Sequence, residues 1–424
     1  MVDARWLRDL WSIFRKALLF ILALSMLGGS TLNLFGPADR VQRYADPFAF
    51  DFLGWTLDAV FNKASQVALG TSHFLEEQDR TLLVRDYLDL IGQLQSKRGE
   101  LETAYGEPDP VRSAVEVERI GREVADLTVE TNRLQPTVEA ILQEQVAVVL
   151  TELKLGLAGS IFPPVSFEFA QLPSSMIVSP RDVIRQDASI SLRVDISLEE
   201  KIGLEERVEQ HENVSALVVP VGGLGTYPTM ILESTSLSWI LEVIAHEWVH
   251  NYLAFRPLGV NYNVSPELRT MNETTASLIG LAVGRKVLAS YYPDLLPPPP
   301  PPLTDVQPPE PPAFDFRAEM RTTRLRVDEL LAQGAIETAE DYMEQRRLFF
   351  WENGYQIRKL NQAYFAFHGA YADEPGGAAG DDPVGEAVRA LWERSPSLAQ
   401  FLRVMAWMNS YEDLIEASDS PSRD

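Results

Sequence analysis

The sequence predicts a mostly α-helical chain with a small β-sheet, an α+β class. Three observations lead there: an uncharged apolar run near the N-terminus, two long stretches of apolar residues at 3-and-4 spacing between residues 75 and 155, and a block of short alternating runs between residues 161 and 235. That block leads into His246-Glu247-Trp248-Val249-His250, the turn around which the chemistry gathers.

At 424 residues and 46 % hydrophobic content, the chain can hold two or three domains with a real core. A net charge of −24 argues against a nucleic-acid partner, because phosphate binding needs clustered Lys and Arg. Cysteine is absent, which excludes disulfides and thiolate ligands and leaves His, Asp and Glu for any metal.

Residues 1–16 carry Arg5, Arg8, Arg15 and Lys16 ahead of residues 17–38, a run without a charged side chain. At about 1.5 Å per residue the run is long enough to cross a bilayer. Its basic flank places residues 1–16 in the cytoplasm and the rest outside, as a single-pass protein of the cell membrane. A cleaved signal peptide is the competing reading, since Ala23-Leu24-Ser25 and Gly28-Gly29-Ser30 are small-residue sites. The apolar continuation through Leu32, Leu34 and Phe35 favours an uncleaved anchor. In residues 39–72, Asp51, Asp58 and Lys63 interrupt Phe48, Phe50, Phe52, Trp55 and Phe61, so no second span is expected. This segment reads as an amphipathic helix at the membrane interface or as a helix packed on the folded domain.

Residues 73–160 read as an antiparallel, coiled-coil-like helical hairpin. Leu83, Tyr87, Leu90 and Leu94 set the spacing on one arm, and Val117, Ile120, Val124 and Leu127 on the other, about a turn at residues 106–110. Pro136 is expected to kink the second arm. The hairpin carries no catalytic constellation; a stalk or packing arm is expected, with binding of a protein partner as the alternative.

From Phe162 the texture changes. Val165, Phe167 and Phe169, then Ile190, Leu192, Val194 and Ile196, alternate with polar residues as strands do. Ser197 caps a short helix over residues 198–211. Residues 216–221 and 227–232 read as two strands joined by Gly222-Gly223-Leu224-Gly225. No Lys follows these glycines, so no phosphate cradle is expected.

Ser234-Thr235-Ser236 can cap the next helix, which Leu237, Ile240, Leu241, Ile244 and Val249 would bury. On it His246 and His250, at i and i+4, share a face and can reach one ion. Glu247 lies about 100° round from His246 and can lean toward a water on that ion. Ser265-Pro266-Glu267 opens a second helix. Its Asn272-Glu273-Thr274-Thr275-Ala276 stretch offers a third ligand, Glu273, while Glu267 falls on another face and serves the helix N-terminus. Ala276 and Gly280 are small enough for the two helices to approach closely. These elements make residues 161–296 one domain.

Residues 297–313 are a proline-rich linker. Residues 314–415 read as helical, with a long helix over 337–372 on which Tyr364, His368 and Tyr371 share a face. Residues 416–424 form an acidic tail expected to be disordered. His73 and His211 stand in polar surroundings with no partner motif.

The pair His246-Glu247-x-x-His250 and Asn272-Glu273-x-x-Ala276 resembles the gluzincin group of zinc metallopeptidases, the thermolysin-like branch, over residues 246–276. The resemblance implies a zincin-like domain that holds Zn2+ through His246, His250 and Glu273, uses Glu247 as general base, and acts on a peptide or protein substrate. It also implies a strand along the cleft that pairs with extended substrate, which points to Gly223, Gly225 and Tyr227. Stabilisation of the oxyanion would fall to a Tyr or His downstream: His368 first, then Tyr371 and Tyr364. There are two departures. The interval between His250 and Glu273 is a few residues longer than usual, and Ser277 stands where an Asp often orients a histidine. The competing expectations are an interaction protein with a vestigial metal site and a metal-dependent hydrolase of another bond. Endopeptidase and aminopeptidase action both stay open.

Overall fold

The computed structural model of the protein describes residues 37–69, 75–105, 109–156, 160–296, 314–371 and 377–419. The apolar run 17–38, apart from Pro37 and Ala38, lies outside these residues, as do His73 and the proline-rich stretch 297–313. Among the described residues no helix is long and apolar enough to cross a membrane.

Helices α1 (Pro37–Ala45) and α2 (Phe52–Leu69) come first. Val41 and Ala45 of α1 are fully buried against a sheet, and Lys63 of α2 pairs with the buried Glu139. This segment therefore follows the packed alternative. Helices α3 (Glu77–Tyr105) and α4 (Pro110–Glu152) form the expected hairpin, and α4 runs through Pro136 as one helix. The base of the hairpin is no free stalk. Val84, Tyr87 and Ile91 of α3 and Val138, Ile141 and Val146 of α4 share one core with the helix that bears the His-Glu-x-x-His turn.

Two three-stranded sheets follow. Strand β1 (Phe167–Phe169) precedes β2 (Ser174–Pro180), β3 (Ala188–Leu192), helix α5 (Leu198–Glu212) and β4 (Val214–Pro220). β2 is central and antiparallel to both neighbours, with Met176 opposite Ile190 and Val218. The capping box of Ser197 and Glu200 starts α5 as its sequence requires. The second sheet holds β5 (Gly223–Leu224) and β6 (Thr229–Ile231), in the order β1-β6-β5. This corrects the expected hairpin: residues 216–221 and 227–232 belong to different sheets. The glycine stretch is itself an edge strand, folded back on β6 with Gly223 opposite Ile231.

Helices α6 (Leu237–Leu253), α7 (Pro257–Val260) and α8 (Pro266–Tyr291) carry the central motif. α6 is apolar on most of its circumference, and Trp248 Nε1 donates to the buried Pro163 carbonyl at 2.8 Å. α8 comes very close to it. A Cβ on Gly280 would stand 2.9 Å from the Glu242 carbonyl oxygen and 3.1 Å from His246 Cβ.

The C-terminal part comprises α9 (Phe316–Ala332), α10 (Ile336–Glu352), α11 (Gln362–His368), α12 (Pro383–Arg394), α13 (Leu398–Ala406) and α14 (Tyr411–Asp419). The expected helix over 337–372 is thus broken. It stops at Asn353-Gly354, where Gly354 takes a φ of +89°, and resumes as α11 after an irregular strap. Arg358 in that strap holds the buried Glu205 at 2.5 and 2.9 Å, and Ala363 of α11 packs on Ile177, Leu217 and Val219 of the sheet. Order also extends past Glu416, because Leu414 and Ser418 of α14 are buried.

Gly280→Val tests the close helix crossing. The backbone there cannot give way cheaply, so a loss of about 1–3 kcal/mol is expected, read as a lower urea midpoint at unchanged slope. An unchanged midpoint would show that α6 and α8 can separate at no cost.

Candidate metal centre

Helical periodicity puts His246 and His250 on the α6 face that meets α8, and Glu273 projects from α8 between them. Each Nε2 lies 3.5 Å from Glu273 Oε2, and the two Nε2 atoms are 3.0 Å apart. Four-coordinate zinc with bonds of about 2.0–2.1 Å separates its ligand atoms by about 3.3–3.4 Å. The residues therefore fit a small divalent cation before any rearrangement. The chemistry of the donors agrees: Glu273 Oε2 is buried and meets no hydrogen-bond donor among the described residues.

The outward-facing atoms of these ligands are held by neutral groups. Asn272 donates from Nδ2 to the Leu258 carbonyl, which leaves its Oδ1 to accept from His250 Nδ1 at 2.8 Å. The lone pair of His250 Nε2 then faces the centre. Ser277 Oγ stands 3.5 Å from His246 Nδ1. The Tyr262 hydroxyl donates to Glu273 Oε1 and turns Oε2 toward the histidines.

Electrostatics follows from this burial. Burial alone would lower His250, but the Glu273 carboxylate outweighs it and raises the imidazole. Burial would raise Glu273, yet His250 and His246 hold it well below the usual carboxylate range. Burial pushes the Glu247 carboxyl up against the pull of both histidines. Tyr262 is raised well above the ordinary phenol, by burial first and then by Glu273, and Tyr371, which is 40 % exposed at the cleft, is raised in the same direction, so both keep their hydroxyl protons.

A cleft of about 670 Å³ opens over these groups. Its floor is α6 and α8; its walls are the glycine strand, the serine-bearing side of the β3-β2-β4 sheet and the chain that follows α11. Gly223 leaves room for the Glu247 carboxylate: a Cβ at that position would stand 2.4 Å from Glu247 Oε1, and one on Gly225 would stand 3.4 Å from Oε2.

Of the expected substrate and oxyanion residues, Gly223, Gly225 and Tyr371 line the cleft. Tyr227 and His368 do not. Tyr227 turns its hydroxyl to the Pro164 carbonyl at 3.2 Å, and His368 is exposed and rests on Tyr364, which packs on the strap side. The shared-face argument fails because α11 ends at His368 with Gly369 as its cap, so Tyr371 is not on the helix. His211 is exposed and stacks on Tyr44. Sequence reasoning passed over Tyr262 and Arg269, which also line the cleft. The long interval after His250 was the signal for Tyr262; the i−4 position before Glu273 was the signal for Arg269.

Comparisons with protein-family models, with curated proteins and with solved structures find no match to this chain.

Asn272→Leu removes the acceptor for His250 Nδ1 at nearly constant volume. It is expected to weaken metal binding about 10–100-fold, measured by competition with a chromophoric chelator. Unchanged affinity would remove Asn272 from the centre.

Proposed function

We propose that the chain is a zinc metallopeptidase of zincin-like architecture. The observation that carries this reading is the convergence of His246 Nε2, His250 Nε2 and Glu273 Oε2 at 3.0–3.5 Å, with the Glu247 carboxylate beside them in the same cleft.

When bound, the ion supplies a Lewis acid that polarises a carbonyl and acidifies a water. The protein's own groups supply the rest. Glu247, raised by burial and carrying no hydrogen bond from any described residue, is suited to accept the proton of the attacking water and hand it to the leaving amine. Tyr371, which keeps its proton, is the donor available to the developing oxyanion from the opposite wall. β5 has β6 on one side, and among the described residues no strand pairs with its other edge, which can take an extended substrate backbone beside Glu247. The charge pattern of residues 1–38 supports attachment to the cell membrane with this cleft on the outer side.

The purified protein is expected to hold one zinc per chain by elemental analysis, and Glu273→Ala to lose it. A full equivalent retained in that variant would sink the ligand set. Glu247→Gln should keep zinc and lose about 10²–10⁴-fold in peptide turnover; activity near wild type would remove Glu247 as the base. Gly223→Ala should likewise keep zinc and fold while displacing Glu247, so its kcat falls at least about tenfold. An unaltered kcat would show that the strand does not set the carboxylate's position.

A further inference from the structure

Arg269 lies in the wall of the same cleft, on α8 one turn before Glu273, and is only 6 % exposed. A guanidinium carries five N–H donors and stays charged in a protein interior. Here its hydrogen bonds are two long ones from Nη2, at 3.3 Å to Asn263 Oδ1 and 3.4 Å to the Gln186 carbonyl. Nε is buried and bonds nothing among the described residues. No described carboxylate pairs with it. Arg181, Arg346 and Arg358 are all more exposed, and each holds a carboxylate at 2.5–2.6 Å. A charge so buried with neutral, distant partners is unfavourable unless an anion completes it.

Its position says where that anion comes from. The guanidinium carbon is 5.5 Å from the centre of the Tyr262 ring, and the hydroxyl of that ring binds Glu273. Arg269 therefore stands on the far side of the Tyr262 ring from Glu273, in the wall of the same cleft. One extended residue advances a peptide by about 3.3–3.6 Å, so the guanidinium is within reach of a group up to about three residues from the bond at the metal.

We propose that Arg269 forms an anion subsite of the cleft and takes a carboxylate of the substrate, either the free C-terminus of a short peptide or an acidic side chain near the scissile bond. The planar fork matches a carboxylate in two parallel hydrogen bonds, which a single ammonium does not reproduce. The assignment rests on the metallopeptidase reading for the identity of the ligand as a peptide.

The test is binding of three probes to the full-length, zinc-loaded Glu247→Gln protein, which does not consume them. The probes are N-acetyl-trialanine, its C-terminal amide, and that amide with Asp as the last residue. At least one anionic peptide should bind tenfold or more tighter than the neutral amide. Preference for the first anionic probe identifies the C-terminal carboxylate, and preference for the second identifies an acidic side chain. Adding Arg269→Gln should abolish the preference, and Arg269→Lys should keep only part of it, with zinc content and thermal melting showing that each variant is folded. Equal binding of all three peptides, no binding of either anionic peptide, or a preference that survives in folded Arg269→Gln overturns the subsite. Turnover by the wild type, measured alongside, separates the two readings. A preference without turnover of any peptide removes the peptidase and leaves the subsite; turnover without a preference does the reverse.

Discussion

The close crossing of α6 and α8 is the constraint on which the centre depends. Glu273, Ser277, Gly280 and Gly284 follow one another at four, three and four residues, a single stripe on α8 that faces α6. Each does a different job along it. Gly284 and Gly280 let the backbones meet at Glu242 and His246, Ser277 reaches His246 Nδ1, and Glu273 arrives at both imidazoles. A slip of one turn would move α8 by about 5.4 Å and carry Glu273 out of reach of both histidines. The glycines thus set the register, and the register builds the ligand set.

Burying three ionisable ligands is unfavourable unless every polar atom finds a partner. Around this centre the outward atoms are satisfied by Asn272, Ser277 and Tyr262, all neutral, while the inward atoms converge on one another. The raised imidazole of His250 and the depressed carboxyl of Glu273 express the same fact. Lone pairs crowd a small volume, and a positive charge completes it. Because these neighbours are neutral, they add no further negative charge beside Glu247.

Those parts of the site that depend on one local period were legible in the sequence. His246, Glu247 and His250 need only the helical repeat, and Glu273 needs only a second helix and small residues to bring it near. The parts that failed depend on contacts remote in the chain. β2 shows no alternation because six of its seven residues are buried, so its run of Ser, Met, Ile and Val carried no strand signal. β5 is two residues including a glycine, too short and too weak a strand former to be read from its own composition. The assignment of His368 assumed an unbroken helix, whereas Gly354 ends one helix and Gly369 the next. The extra length after His250 holds α7 and Tyr262, so the long interval supplies the Leu258 carbonyl that holds Asn272 and the hydroxyl that binds Glu273.

The helices that carry His246, His250 and Glu273 are tied to the hairpin at both ends. Near the start of α6, the Tyr87 hydroxyl donates to Glu233 at 2.9 Å, a contact between residues 146 positions apart. At the end of α8, the Tyr292 hydroxyl donates to Gln145 at 3.0 Å across 147 positions. One arm of the hairpin thus holds the entry to the first ligand helix, and the other holds the exit of the second. Both arms share the core of those helices. The opposite wall is tied differently: α11 lies on the β3-β2-β4 sheet, and its strap is fixed by Arg358 on the buried Glu205. The cleft therefore separates a wall that fixes ligand geometry from a wall that presents Tyr371 and the serine face. The long hairpin lines no part of the cleft itself, yet it packs on the two helices that bring His246, His250 and Glu273 together, so its core fixes where those side chains meet.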